Sequence, residues 1–183
     1  MPALHRGREL FQLAGELRIL AQPDDDLAFE RIYNTPRRGL GESALRTLRI
    51  IQRANKVSLY EATRRALETD ELKGRQRKSL GDLIRNFDRW RAMLDGIGHV
   101  EVVETMLDES GYTDMLRVDR SPEAEGRLEN LKELTNALQE FETLPAFLEH
   151  VALLTDNAEK SGGDMVSVMT LHAAKGLEFD TVF

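Results

Sequence analysis

The chain has 183 residues, 41% of them hydrophobic, with four histidines and no cysteine, enough for one sizeable core or a domain with part of another. No apolar run approaches the roughly 20 residues that cross a bilayer, the N-terminus lacks a signal peptide's apolar stretch, and cysteine-free composition excludes disulfides and thiolate metal sites. The net charge of −7 is unevenly spread: residues 31–91 carry 16 Lys/Arg against 7 Asp/Glu, whereas residues 92–183 carry 6 against 19. A basic block on an acidic protein permits local phosphate binding. The alternative is arginines that solvate helix faces and pair with nearby acids. The four histidines (His5, His99, His150, His172) show no ligand spacing such as HExxH.

In chain order the pattern is helical almost throughout. A first helix is expected to end near Ala21 and Gln22, before Pro23, and Asp24 to cap a second that reaches Tyr33. Asn34 to Gly41 is loop by its proline and glycines. Glu42 or Ser43 opens a helix through Ala54 with Leu45, Leu48 and Ile51 facing inward, and Ser58 to Glu61 reads as a capping box before a short helix to Glu68. Residues 76–95 give the clearest amphipathic helix, with Leu80, Leu83, Ile84, Phe87, Trp90 and Leu94 at spacings of three and four. Trp90 is read there as a core anchor rather than a base-stacking platform.

Gly96 and Gly98 break that helix, and Val100 to Glu109 forms another, ended by Gly111. Ser121 and Pro122 start a long helix carrying Leu128, Leu131, Leu134, Leu138 and Phe141. Its stripe is too short for a coiled coil and fits packing within a bundle. A last helix runs from Leu144 to Leu154, and residues 156–164 read as a polar linker. Val166, Val168 and Leu171 then predict a short buried strand, followed by a small, polar turn through Gly176 and a second apolar run from Leu177. A strand of that kind needs a parallel sheet, and the apolar run is still open at Phe183, so the chain is expected to be a piece of something larger.

Two segments carry a family resemblance. Met169 to Phe179 (Met-Thr-Leu-His-Ala-Ala-Lys-Gly-Leu-Glu-Phe) closely resembles the fifth helicase motif of the UvrD/Rep family of superfamily 1 DNA helicases. Asp24 to Leu45, with Asn-Thr-Pro-Arg-Arg-Gly-Leu-Gly at positions 34–41, resembles that family's entry into its inserted 2B subdomain. Both stand in the family's order with a helical insert between them, and the resemblance runs from about Leu17 onward. Before Leu17 the fit is poor: Gly15 and the order Phe11, Gln12, Leu13 depart from the family's entry helix. The resemblance implies a mainly α fold, a compact multi-helix 2B-type subdomain with a short C-terminal β remnant of a RecA-like 2A domain. Its parts would be an entry segment at 1–23, the helical body at 24–155, the linker at 156–164 and a truncated 2A segment at 165–183.

The candidate site residues fall into two groups. In Thr35, Arg37, Arg38, Gly39, Leu40 and Gly41, two glycines flank an apolar anchor just before a helix, so backbone N–H groups can approach a phosphate closely beside two cations. On chemistry alone a plain glycine turn between helices is the favoured reading; the resemblance reverses this and implies a helix-hairpin-helix type of grip on duplex backbone without sequence reading. The resemblance likewise implies that Thr170 and His172 contact single-stranded DNA, and that Glu178, with Gly176 shaping the turn around Lys175, serves nucleotide binding through the ribose.

The intact enzyme would use ATP and Mg2+. No G-x-x-x-x-G-K-[ST] loop occurs in this sequence, so no cofactor is expected on this chain and the chain alone is expected not to hydrolyse ATP. The function so implied is that of an ATP-dependent 3′→5′ DNA helicase in repair or replication, cytoplasmic and nucleoid-associated, whose 2B module grips duplex DNA and regulates unwinding. A module that recruits repair proteins through its acidic face, or a helicase-nuclease subunit, are the alternatives.

Overall fold

The computed structural model describes the backbone of residues 8–72, 74–121 and 124–160, and the side chains of those from Leu13 to Leu153. The described residues hold nine α-helices and no strand. The expected mainly helical architecture is therefore present, while the β remnant lies outside the described residues. The chain falls into two compact units, residues 1–150 and 151–183; of the second, only the end of the last helix is described.

Helix α1 (Arg8–Ala21) and α2 (Asp26–Ile32) form a tight hairpin. A Cβ added at Gly15 would lie 3.2 Å from the Ile32 side chain, so the glycine is what lets the two helices approach. Of the three aspartates before α2, Asp25 and not Asp24 is the cap, accepting the Ala28 N–H at 2.9 Å. Asp26 serves another purpose: its Oδ1 accepts the Leu59 N–H at 2.7 Å and its Oδ2 accepts from Gln52. It thereby ties α2 to α3 (Glu42–Asn55) and α4 (Leu59–Glu68). Ser58 caps α4 through the Glu61 N–H at 3.2 Å, as the sequence predicts.

Helix α5 (Gly74–Met93) is the central element. Leu80, Leu83, Ile84, Phe87 and Trp90 are buried, and Phe87 meets Trp90 edge-on at 5.1 Å. Trp90 is 1% exposed and its indole N–H donates to Glu109 Oε2 at 2.6 Å, so it is a core residue. Burying such side chains stabilises by about 1.5–3 kcal/mol each, whereas an exposed pair such as Arg85 with Asp82, 2.5 Å apart, contributes about 0–1 kcal/mol. The apolar stripe holds α5 in place. From its far end Arg91 donates to the carbonyls of Ile19 and Leu20 at 3.0 and 3.3 Å, satisfying the C-terminal acceptors of α1. Tyr60 of α4 donates to Asp88 at 2.9 Å, and burial, then that bond, push its hydroxyl up to about 12.

Helix α6 (His99–Glu109) is followed by α7 (Tyr112–Val118), which the sequence pattern does not predict. Gly111 at φ +77° makes the turn between them, and Tyr112, Thr113 and Leu116 are buried. In α8 (Ala124–Leu138) only the end of the expected stripe, Leu134 and Leu138, is fully buried; Leu128 and Leu131 are half-buried. Phe141 lies past the helix and packs edge-on to Phe147 at 5.4 Å. Helix α9 (Leu144–Lys160) continues past Leu154 into the segment read as linker.

Candidate nucleic-acid interface

The segment between α2 and α3 is built around Asn34. Its Oδ1 accepts the N–H groups of Arg38 and Leu40 at 3.0 and 3.1 Å, which closes residues 34–40 into one turn. The Thr35–Pro36 bond is cis. Leu40 is 1% exposed and pins the turn to the core, as expected of the apolar residue between the glycines. Gly39 adopts φ +71°, and a Cβ there would meet the Arg75 guanidinium at 3.1 Å. Arg75 is exposed and can give way, so the backbone decides the outcome. Gly39→Ala is expected to cost about 1–2 kcal/mol, the usual penalty for a left-handed residue with a Cβ, read as a lowered urea midpoint. Gly41 is extended and N-caps α3 without a side-chain bond, with open space where a Cβ would be.

The two loop arginines differ in kind. Arg38 turns inward: its Nη1 donates to the carbonyls of Thr35, Ile32 and Pro36 at 2.6, 2.7 and 3.3 Å. Its own carbonyl accepts from Ser79 of α5 at 2.9 Å. Burial draws the Arg38 guanidinium below its ordinary value, opposed by the charge of Glu16. Arg37 is exposed and has no ion pair or hydrogen bond among the described residues. Thr35 is half-buried, beneath the Arg38 guanidinium.

Ser79 bonds the loop, Gln76 reaches Ser43 at 3.4 Å, and Arg75 sits over Gly39. The first turns of α5 are therefore packed beside the loop and the N-terminus of α3. This brings Arg75, exposed and without an ion pair among the described residues, to the loop that carries Arg37; Lys78, also exposed and without an ion pair among them, follows one turn along α5. A cleft of about 420 Å³ opens along the same turns, lined by Leu67, Gly74, Arg77, Lys78, Gly81 and Arg85. Arg77 there donates to the carbonyls of Thr69, at 2.5 Å, and Leu67, closing the end of α4.

Much of the remaining basic block is neutralised. Arg49 is bidentate to Glu30 at 2.9 Å, Arg64 and Arg91 share Asp88 at 2.6 and 3.2 Å, and Arg89 pairs with Glu109. The Arg89 bond, then that of Trp90, holds the Glu109 carboxyl below its usual range.

The basic block in the sequence thus splits into paired arginines and exposed cations without ion pairs among the described residues, of which Arg37 and Arg75 stand at the loop. Arg75 and Lys78 were inside the block but not separable from it by sequence. Thr170, His172, Gly176 and Glu178 lie outside the described residues. Among those described, no group of three His, Cys, Asp or Glu could hold a metal ion, and no helix is long and apolar enough to cross a membrane.

Comparison with known proteins places the sequence in a family. A sequence model of the family described as UvrD-like helicase C-terminal domain matches residues 7–183, reaching further upstream than Leu17. The chain is 39% identical over 177 residues to a DNA helicase II of Rickettsia typhi, covering 96% of this chain and 27% of that protein. It is 34% identical over 189 residues to an ATP-dependent DNA helicase PcrA of Bacillus subtilis, and 32% over 194 residues to DNA helicase II of Escherichia coli, covering 25% and 26% of those proteins. The chain therefore spans about a quarter of the length of these relatives.

Proposed function

The chain belongs to the UvrD-like helicase C-terminal domain family, and from that premise we propose that it is the duplex-gripping part of an ATP-dependent 3′→5′ DNA helicase acting in DNA repair or replication. The observation that carries the reading is that Arg37 and Arg75, exposed and without carboxylate partners among the described residues, stand at the Gly39 turn that opens on the N-terminus of α3, with Lys78 one turn further along α5. Cations and backbone N–H groups so placed hold phosphates and read no bases. Arg37, Gly39 and Gly41 form the contact; Leu40, Thr35 and Arg38 shape the loop that presents it.

The helical body, residues 24–155, acts as the 2B-type module that sets whether unwinding proceeds. Thr170 and His172 take single-stranded DNA, and Glu178 and Gly176 take nucleotide. A cytoplasmic, nucleoid-associated setting and contacts with repair proteins go with this reading. ATP and Mg2+ serve the whole enzyme. The sequence holds no phosphate loop, and among the described residues no acidic cluster suits a metal.

A salt titration of duplex binding by the intact chain tests the proposal. Log affinity should fall linearly with log salt, with a slope of roughly −2 to −3 for two or three phosphates at about 0.9 each, and alike for unrelated sequences. Binding that ignores salt, or that follows base sequence, would overturn it.

A further inference from the structure

Among the described residues Glu16 is the only buried acid, 1% exposed. It stands on the inward stripe of α1 with Leu13, Leu17 and Leu20, and neither of its oxygens receives a hydrogen bond. A carboxylate in that position is tolerated only beside a counter-charge. Among the described residues, the charged groups that approach α1 are few. Arg31 of α2 lies with its Cβ beside Gly15, Arg18 pairs with Asp25 at 3.6 Å, and Arg91 of α5 is committed to the Ile19 and Leu20 carbonyls. Arg38 holds the Ile32 carbonyl at 2.7 Å, and the Ile32 side chain lies against Gly15, next to Glu16 in α1; among the described residues Arg38 is the cation whose charge acts on Glu16, and Glu16 the acid whose charge acts on Arg38.

We propose that Glu16 is a positioning residue for the loop at 34–41: ionised, it is the counter-charge that keeps Arg38 folded under Ile32, Thr35 and Pro36. Only the consequence for duplex binding rests on the function proposed above. Neutralising Glu16 leaves a partly buried guanidinium held by neutral carbonyls alone. Arg38 then gains by turning to water, the three carbonyls are released, and Asn34 loses its hold on the Arg38 and Leu40 N–H groups. Arg37 shares that turn and loses its fixed direction. Burial places the Glu16 carboxyl at about 7, so the loop responds to pH across neutrality, tightening as Glu16 ionises.

The test uses the intact chain and four proteins: wild type, Glu16→Gln, Arg38→Gln and the double variant. Hydrogen exchange at the Arg38 and Leu40 amides is read alongside affinity for one fixed duplex, at constant ionic strength, at pH 6 and 8.5. At pH 8.5 Glu16→Gln should speed exchange at both amides on the order of tenfold, as local opening does, while the amides of α5 stay protected. Duplex affinity should drop on the order of three- to tenfold, to the wild-type level at pH 6, and adding Arg38→Gln should weaken it no further, the mark of a coupled pair. Unchanged exchange in Glu16→Gln, or effects of the two substitutions that simply add, would overturn the inference. Arg37→Ala separates the two ideas. If it weakens duplex binding and Glu16→Gln does not, the positioning role fails and the duplex contact stands. If it is silent while exchange still responds to Glu16→Gln, the loop is positioned as described and the duplex contact fails.

Discussion

Glu16→Gln is expected to stabilise the folded chain by about 3 kcal/mol at pH 8.5 and to change it little at pH 4. Burial raises the Glu16 carboxyl from 4.5 to about 7, with Arg38 pulling the other way. At about 1.4 kcal/mol per pH unit, that rise is a penalty of about 3 kcal/mol on the folded state once Glu16 ionises. Between 4.5 and about 7 the native chain binds the extra proton, so stability falls as pH rises through this window and levels off above it. Glutamine resembles the protonated acid in size and carries no charge, so the variant escapes the penalty at high pH and matches the wild type at low pH. Urea unfolding of both proteins across pH 4 to 9 reads it. Carboxylates such as Glu109, held low by Arg89 and Trp90, titrate in both proteins and cancel in the difference. A difference that stays flat with pH would show that Glu16 is not buried as an acid.

A residue that costs stability at working pH and shapes a binding loop is the usual bargain at functional sites. Its sequence signal was present: Leu13, Glu16, Leu17 and Leu20 share one helix face, so an acid stands where the period asks for an apolar side chain. What the sequence could not supply was the partner. Nothing in Arg37-Arg38 tells which guanidinium turns inward, because that depends on Asn34 closing the loop and on Glu16 approaching from another helix. The α5 stripe was legible for the opposite reason, since Leu80 to Trp90 state their face through local spacing alone. Asp25 rather than Asp24 caps α2 because the helix begins at Asp26, whose carboxylate is held by Leu59 and Gln52, a contact between distant segments. Helix α7 was missed since its seven residues span only about two turns, short of the window in which a helical period is read, and it is held by Tyr112 and Leu116 packing inward.

The second large effect concerns the free cations. Arg37→Ala/Arg75→Ala/Lys78→Ala should weaken duplex binding on the order of 100-fold at moderate salt and flatten the log-log salt slope by about 2 to 3, one phosphate contact for each side chain. The loss should be the same for unrelated duplex sequences, because these groups meet backbone and not bases. Folding should hardly notice, within about 0.5 kcal/mol, since exposed side chains without partners contribute little. A general loss of attraction between a more acidic protein and DNA would produce a similar trend, so the control removes equal charge elsewhere. Arg46, Arg53 and Lys56 are also exposed and without ion pairs among the described residues. Lys56 closes α3 at φ +54° and is best replaced by asparagine, which tolerates that backbone. If Arg46→Ala/Arg53→Ala/Lys56→Asn weakens binding as much as the first triple variant, the attraction belongs to the whole basic block, and the glycine turn beside α5 has no special hold on the duplex.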